Sequence, residues 1–140
     1  MSATDDPGVV VGDDGLARPV WASVDPMMRE YYDTEWGMPV RDERGLFERL
    51  SLEAFQSGLS WATILRKRRD FRSVFFLFDA QRITEMSEPQ RRAALQDERL
   101  IRNARKHEAL YENAKATLEL RRAARLLMSL LIEHRLSSWI

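Results

Sequence analysis

The sequence predicts an all-α protein, and three observations carry that prediction. Residues suited to capping helices head several segments: Asp25 before Pro26, Asp42 before "ERGLFERLSLEAF", and Ser87 before Glu88-Pro89. The stretch from Glu98 to His134 reads as helical nearly throughout. The one run that could pass for a buried strand, "VFFLF" at residues 74–78, is short and flanked by helical patterns, which makes it a helix end and leaves no partner able to form a sheet.

Taken in order, residues 1–17 hold three of the six glycines, four aspartates and a proline around a three-valine run, the composition of a flexible leader. Asp25 and Pro26 open a short helix that carries Met27, Met28, Tyr31 and Tyr32 and ends near Trp36-Gly37. "MPVRD" is a turn into the next helix. There Leu46, Leu50 and Ala54 share one stripe, while Leu52, Phe55 and Leu59 occupy the opposite side. A helix apolar on both sides is expected to be buried, and Glu53, in phase with Leu46 and Leu50, is then expected to face the core. "QSG" at residues 56–58 breaks this helix, and Ser60 is one option for the cap of the next. Asp79 is placed to cap the segment after "VFFLF".

Composition narrows the chemistry. The chain of 140 residues, 44% hydrophobic, is of a size for one globular domain of residues 18–120 behind the leader. Its 22 basic and 22 acidic residues balance, so net charge argues for no particular partner. It has no cysteine, which removes disulfides, thiolate ligands and Cys nucleophiles together. No run is long and apolar enough to span a bilayer, and the acidic start lacks the features of a signal peptide, so a soluble cytoplasmic protein with no membrane contact is expected.

A carboxylate at Glu53 facing a core needs a partner: an arginine, a helix N-terminus, or the amino and ring N–H groups of a ligand. Tyr31, Trp36 and Trp61 bracket it in sequence, as core residues or as rings that stack on an aromatic base. The basic runs at residues 66–72 and 99–106 read as solvated helix faces or as phosphate contacts. His107 and His134 have no companion at ligand spacing.

The segments "YYDTEWGMPV", "LFE" and "LEAFQSGLSW", followed by "RKRR", together resemble the 3-methyladenine DNA glycosylase I family from about Arg18 to Leu120. That resemblance implies a helical glycosylase of the helix-hairpin-helix superfamily, incomplete at its C-terminus. It further implies hydrolysis of the N-glycosidic bond of 3-methyladenine in alkylated duplex DNA, with no obligatory protein partner. Glu53 matches the family glutamate that hydrogen-bonds the extruded base. Tyr31 and Trp61 match the stacking aromatics, and Trp21 and Trp36 match further tryptophans of the pocket. Gly58 and Leu59 match the wedge that fills the duplex at the lesion. Two ligands of the family's structural zinc are replaced here by Pro19 and Tyr32, so no cofactor is expected. After Leu120, "RRAARLLMSLLIEHRLSSWI" (residues 121–140) departs from the family pattern, as in a frameshifted or truncated gene product. The alternative to an enzyme is an inactive helical remnant that binds DNA weakly or only self-associates.

Overall fold

The computed structural model describes residues 8–137 and is predominantly helical, with two compact units on either side of Val40. Residues 1–7 of the expected leader lie outside the described residues, and so do residues 138–140 of the C-terminal segment.

In the first unit the structure departs from the expected leader. Strand β1 (Val9–Val11) pairs antiparallel with β2 (Ala17–Pro19), Val10 opposite Arg18. The valine run supplies β-propensity, and the turn between the strands closes through Gly15 N–H to Gly12 O at 3.0 Å, with Gly15 at φ +77°. Side-chain burial does little here, since Val10 and Val11 stay exposed. Arg18 is the anchor, 5% exposed and held by four hydrogen bonds. Its Nε and Nη2 donate to Asp33 at 2.8 and 2.9 Å, and its Nη1 and Nη2 donate to Asp14 at 3.0 and 2.7 Å. Arg29 extends the network to Asp13 and Asp14. A 3-10 turn (Val20–Ala22) follows, then α1 (Pro26–Thr34), capped as expected by Asp25, which accepts from Met28 N–H at 2.8 Å. The helix ends two residues before Trp36: the Tyr31 carbonyl accepts from both Glu35 and Trp36 N–H, and Gly37 turns the chain at φ +74°.

The second unit is helical throughout its regular structure: α2 (Glu43–Gln56), α3 (Trp61–Val74), a 3-10 turn (Phe76–Phe78), α4 (Ala80–Thr84), α5 (Glu88–Gln96) and α6 (Ala104–Ser137). Asp42, Ser60, Asp79 and Ser87 cap α2 to α5 in turn, Ser87 through a reciprocal capping box with Gln90. The core is aromatic. Phe55, Phe71, Phe75 and Phe78 are fully buried, with Phe55 and Phe71 centroids 4.7 Å apart, and α6 adds Leu110, Ala114 and Leu118.

"VFFLF" is a helix end, as expected. After Val74 the chain makes a left-handed turn with φ of 51°, 55° and 57° at Phe76, Leu77 and Phe78, uncommon for non-glycine residues. Burial of Phe75 and Phe78 on either side offsets that conformational cost. The expected continuous helix from Glu98 begins only at Ala104. The Asp97 side chain accepts from Arg99 N–H at 3.0 Å, a local turn that competes with helix, and the Asn103 side chain caps α6 by accepting from Lys106 N–H at 3.2 Å.

Candidate functional site

The sequence-predicted residues fall into two groups. In the first unit Trp21 lies in the 3-10 turn, Tyr31 on α1 and Trp36 just beyond it. The ring that joins the two tryptophans is Tyr32. It stacks on Trp36 with centroids 5.3 Å apart and planes at 22°, and meets Trp21 edge-on at 5.5 Å; Trp21 and Trp36 are 6.0 Å apart. Trp36 is 52% exposed and Trp21 37%, so the cluster offers aromatic surface to solvent. Tyr31 is half-buried beside it in sequence, its carbonyl closing α1. Sequence reasoning placed Tyr32 on this helix and at a replaced metal ligand, but did not name it among the base-binding rings. Its place four residues before Trp36, at the end of a helix, was the available signal.

In the second unit the site is the end of α2 and the start of α3. Ser57 at φ −47°, ψ 119° and Gly58 at φ +79° occupy the central positions of a type II turn, closed by Leu59 N–H to Gln56 O at 2.7 Å. The Gln56 side chain donates to Leu59 O at 2.8 Å, a second clasp on the same turn. Lys106, reaching from α6, donates to the Phe55 and Ser57 carbonyls at 2.8 and 2.6 Å, so an ammonium group satisfies the C-terminal carbonyls of α2. Ser60 then caps α3, Thr63 N–H donating to its Oγ at 3.2 Å. The turn thus holds Leu59, 37% exposed, outside the core, while Trp61 at the first position of α3 packs partly against it.

Glu53 corrects the expectation drawn from its spacing. It does share a side of α2 with Leu46 and Leu50, but that side is not covered: Leu46 is 56% and Leu50 55% exposed, and Glu53 itself is exposed. The helix buries Phe47, Ser51, Leu52 and Phe55 instead. Neither an arginine nor a helix N-terminus claims Glu53, whose carboxylate makes no hydrogen bond or ion pair among the described residues. The result is a free acceptor in the last turn of α2, near the clasped turn in sequence.

The basic runs are largely committed to the fold. Arg72 binds Glu48 through Nε and Nη2, Arg99 binds Asp97 and reaches Asp70, Lys67 donates to Arg99 O, and Lys106 closes α2. Lys106, read in sequence as one charge of a run, is the positioning residue that sequence reasoning missed. Its partners lie about fifty positions earlier, beyond any local pattern. His107 is buried, its Nε2 at 2.8 Å from Ile101 O and its ring edge-on to Phe55; burial holds its pKa below the ordinary value. It belongs to the core.

The residues do not fit the zinc of the resembled family. Pro19 has no side-chain donor and ends β2, and the Tyr32 ring is packed among tryptophans. Among the described residues no group of three or more His, Cys, Asp or Glu is placed to hold a metal. Also among them, no helix is long and apolar enough to cross a membrane.

Comparison with known proteins converges on one family. The sequence model of the methyladenine glycosylase family matches residues 21–137. The chain is 40% identical over 105 residues to DNA-3-methyladenine glycosylase 1 of Escherichia coli K12, covering 75% of this chain and 56% of that protein. A crystal structure of 3-methyladenine DNA glycosylase I superposes with a TM-score of 0.72 at 42% identity, over 75% of this chain and 58% of that one. The Staphylococcus aureus enzyme, whose structure describes 3-methyladenine recognition, gives 0.69 at 30% identity over 71% and 53%. The chain therefore spans little more than half the length of these relatives. With the family match running through most of its length, the chain belongs to the methyladenine glycosylase family.

Proposed function

We propose that the protein is a base-excision DNA glycosylase that hydrolyses the N-glycosidic bond of 3-methyladenine in alkylated duplex DNA. The observation that carries this reading is the Glu53 carboxylate: solvent-facing, with no partner among the described residues, and three residues before the end of α2. Left exposed, it can accept hydrogen bonds from an incoming base without first breaking an internal pair.

Methylation at N3 leaves the base cationic and weakens its bond to the sugar, so the enzyme need not supply a strong general acid. Selection rests on a carboxylate and on rings that attract a cation, with water as the nucleophile. In this reading Glu53 accepts from the base edge, and Trp61, Tyr31, Trp21 and Trp36 supply stacking surface. Leu59, fixed by the Gly58 turn, enters the space the base vacates and offsets part of the few kcal/mol that extrusion costs. The partner is double-stranded DNA carrying alkylated adenine. The protein works without a metal, in the cytoplasm.

The test is release of free base from methylated duplex DNA by the chain and by Trp61→Ala and Leu59→Ala. The reading expects loss of release in Trp61→Ala and a larger loss in Leu59→Ala on duplex than on single-stranded substrate; intact release by Trp61→Ala would contradict the stacking role, and a Leu59→Ala loss no larger on duplex would contradict the wedge role.

A further inference from the structure

Residues 8–17 precede the stretch over which the chain matches its family, 21–137, yet they carry regular structure. Strand β1 runs beside β2, and Val20 N–H donates to Gly8 O at 3.0 Å, so the pairing reaches the residue before Trp21. Exposed valines give this hairpin little burial, and Arg18 holds it instead. A guanidinium only 5% exposed must be matched by anions, because an uncompensated charge withdrawn from water is costly. Asp33 of α1 supplies one carboxylate and Asp14 of the hairpin turn the other, each bound through two N–H···O contacts. Gly12 leaves room for the turn: a Cβ there would come within 2.9 Å of Asp14 Oδ1 and 3.1 Å of Arg18 Nη1. Arg18 adjoins Pro19 and Asp33 adjoins Tyr32, the two positions at which zinc ligands of the resembled family are replaced. The same two stretches of chain meet again where the Tyr32 ring lies edge-on to Trp21 while stacking on Trp36.

We propose that residues 8–17 act as a metal-free clip: Asp14 completes the charge matching of Arg18, the Arg18–Asp33 pair holds β2 on α1, and Tyr32 is the positioning residue that sets Trp21 and Trp36 as stacking walls. The chain positions next to Pro19 and Tyr32 are joined by an ion pair and an aromatic bridge, so the hairpin needs no ion to stay in place. The clip stands on this geometry alone, whereas the use of the two tryptophans for a base rests on the glycosylase reading. Tyr32 acts through its ring, which makes phenylalanine its conservative replacement.

Measurements on the full chain test this. Metal analysis should find less than stoichiometric zinc, and neither a chelator nor added zinc should change the melting temperature. One bound zinc per chain whose removal lowers melting would overturn the clip. Asp14→Asn removes one carboxylate charge, so amide exchange over residues 8–20 should quicken at least ~10-fold while residues 43–96 exchange as in the parent. Unchanged exchange would show that Asp14 anchors nothing. In near-ultraviolet circular dichroism, Tyr32→Leu should lose tryptophan signal that Tyr32→Phe keeps, and equal spectra for the two variants would overturn the positioning role. In base release from methylated duplex DNA, Tyr32→Leu and Asp14→Asn should raise the half-saturating DNA concentration more than they lower turnover, with Tyr32→Phe close to the parent. A parent that releases no base would refute the glycosylase reading alone, since the metal, exchange and dichroism results decide the clip without it. A parent that releases base, with Tyr32→Leu as efficient as Tyr32→Phe, would overturn the positioning role and leave that reading intact.

Discussion

Replacing Gly58 by alanine isolates one element of the site. The residue sits at φ +79° in the type II turn, and a Cβ built there meets nothing within 4 Å, so the substitution introduces no clash and its cost is conformational alone. Holding an L-residue in the left-handed region costs roughly 1–2 kcal/mol. The stiffer unfolded chain does not recover this, since the native dihedral is the wrong one for alanine. About 1 kcal/mol of lost stability corresponds to a fall in melting temperature of roughly 4–8 °C for a domain of this size. Asparagine tolerates the same region better, so Gly58→Asn should lose about half as much. Urea unfolding is the assay, with the midpoint lowered and the slope unchanged. Base release should fall with Gly58→Ala as Leu59 is displaced. A Gly58→Ala protein as stable as the parent would refute the reasoning, because it would show that the chain does not need this turn.

Lys106→Met should cost about 1–2 kcal/mol by leaving the Phe55 and Ser57 carbonyls without their charged donor, and should lower base release; unchanged melting and release would remove Lys106 from the site. The aspartates around Arg18 and Arg29 titrate below the ordinary value of 3.8 because the guanidinium groups bind their ionised forms. Hairpin anchoring is therefore complete above about pH 4 and lost as pH falls below it, read as faster amide exchange over residues 8–20, and Asp33→Asn should loosen the same segment at neutral pH. His107, held below its ordinary 6.5 by burial, takes up a proton more readily in the unfolded chain. Stability should therefore begin to fall as pH drops through about 6.5, and a His107 ring resonance titrating at or above that value would contradict its burial.

Particular residues show what the sequence disclosed and what it did not. Asp25, Asp42, Asp79 and Ser87 were legible as caps because a cap is a contact over three residues. The break at Gly58 was legible for the same reason, though the clasp by Lys106 was not, since it joins α6 to α2. The face shared by Glu53, Leu46 and Leu50 followed from helical phase. Whether that face is covered depends on what packs against it, and phase does not contain that information. The three-residue strands at Val9–Val11 and Ala17–Pro19 fall below the length at which alternation can be recognised, and their anchor, Arg18 with Asp33, spans fifteen positions. Tyr31 and Tyr32 could not be told apart by spacing alone, and the fold joins Trp21 and Trp36 through Tyr32.

The central claim is that an unpaired Glu53 carboxylate reads the base. Glu53→Gln removes the charge while keeping the shape, at an exposed position without a partner, so melting should shift by no more than ~0.5 kcal/mol in equivalent stability. The decisive measurement is release of 3-methyladenine from methylated duplex DNA by the parent chain and by Glu53→Gln at matched folded concentration. The account predicts release by the parent and at least ~10-fold slower release by the variant, the loss expected for a hydrogen bond to a charged acceptor. Equal release by the two proteins, or none by the parent, would contradict it.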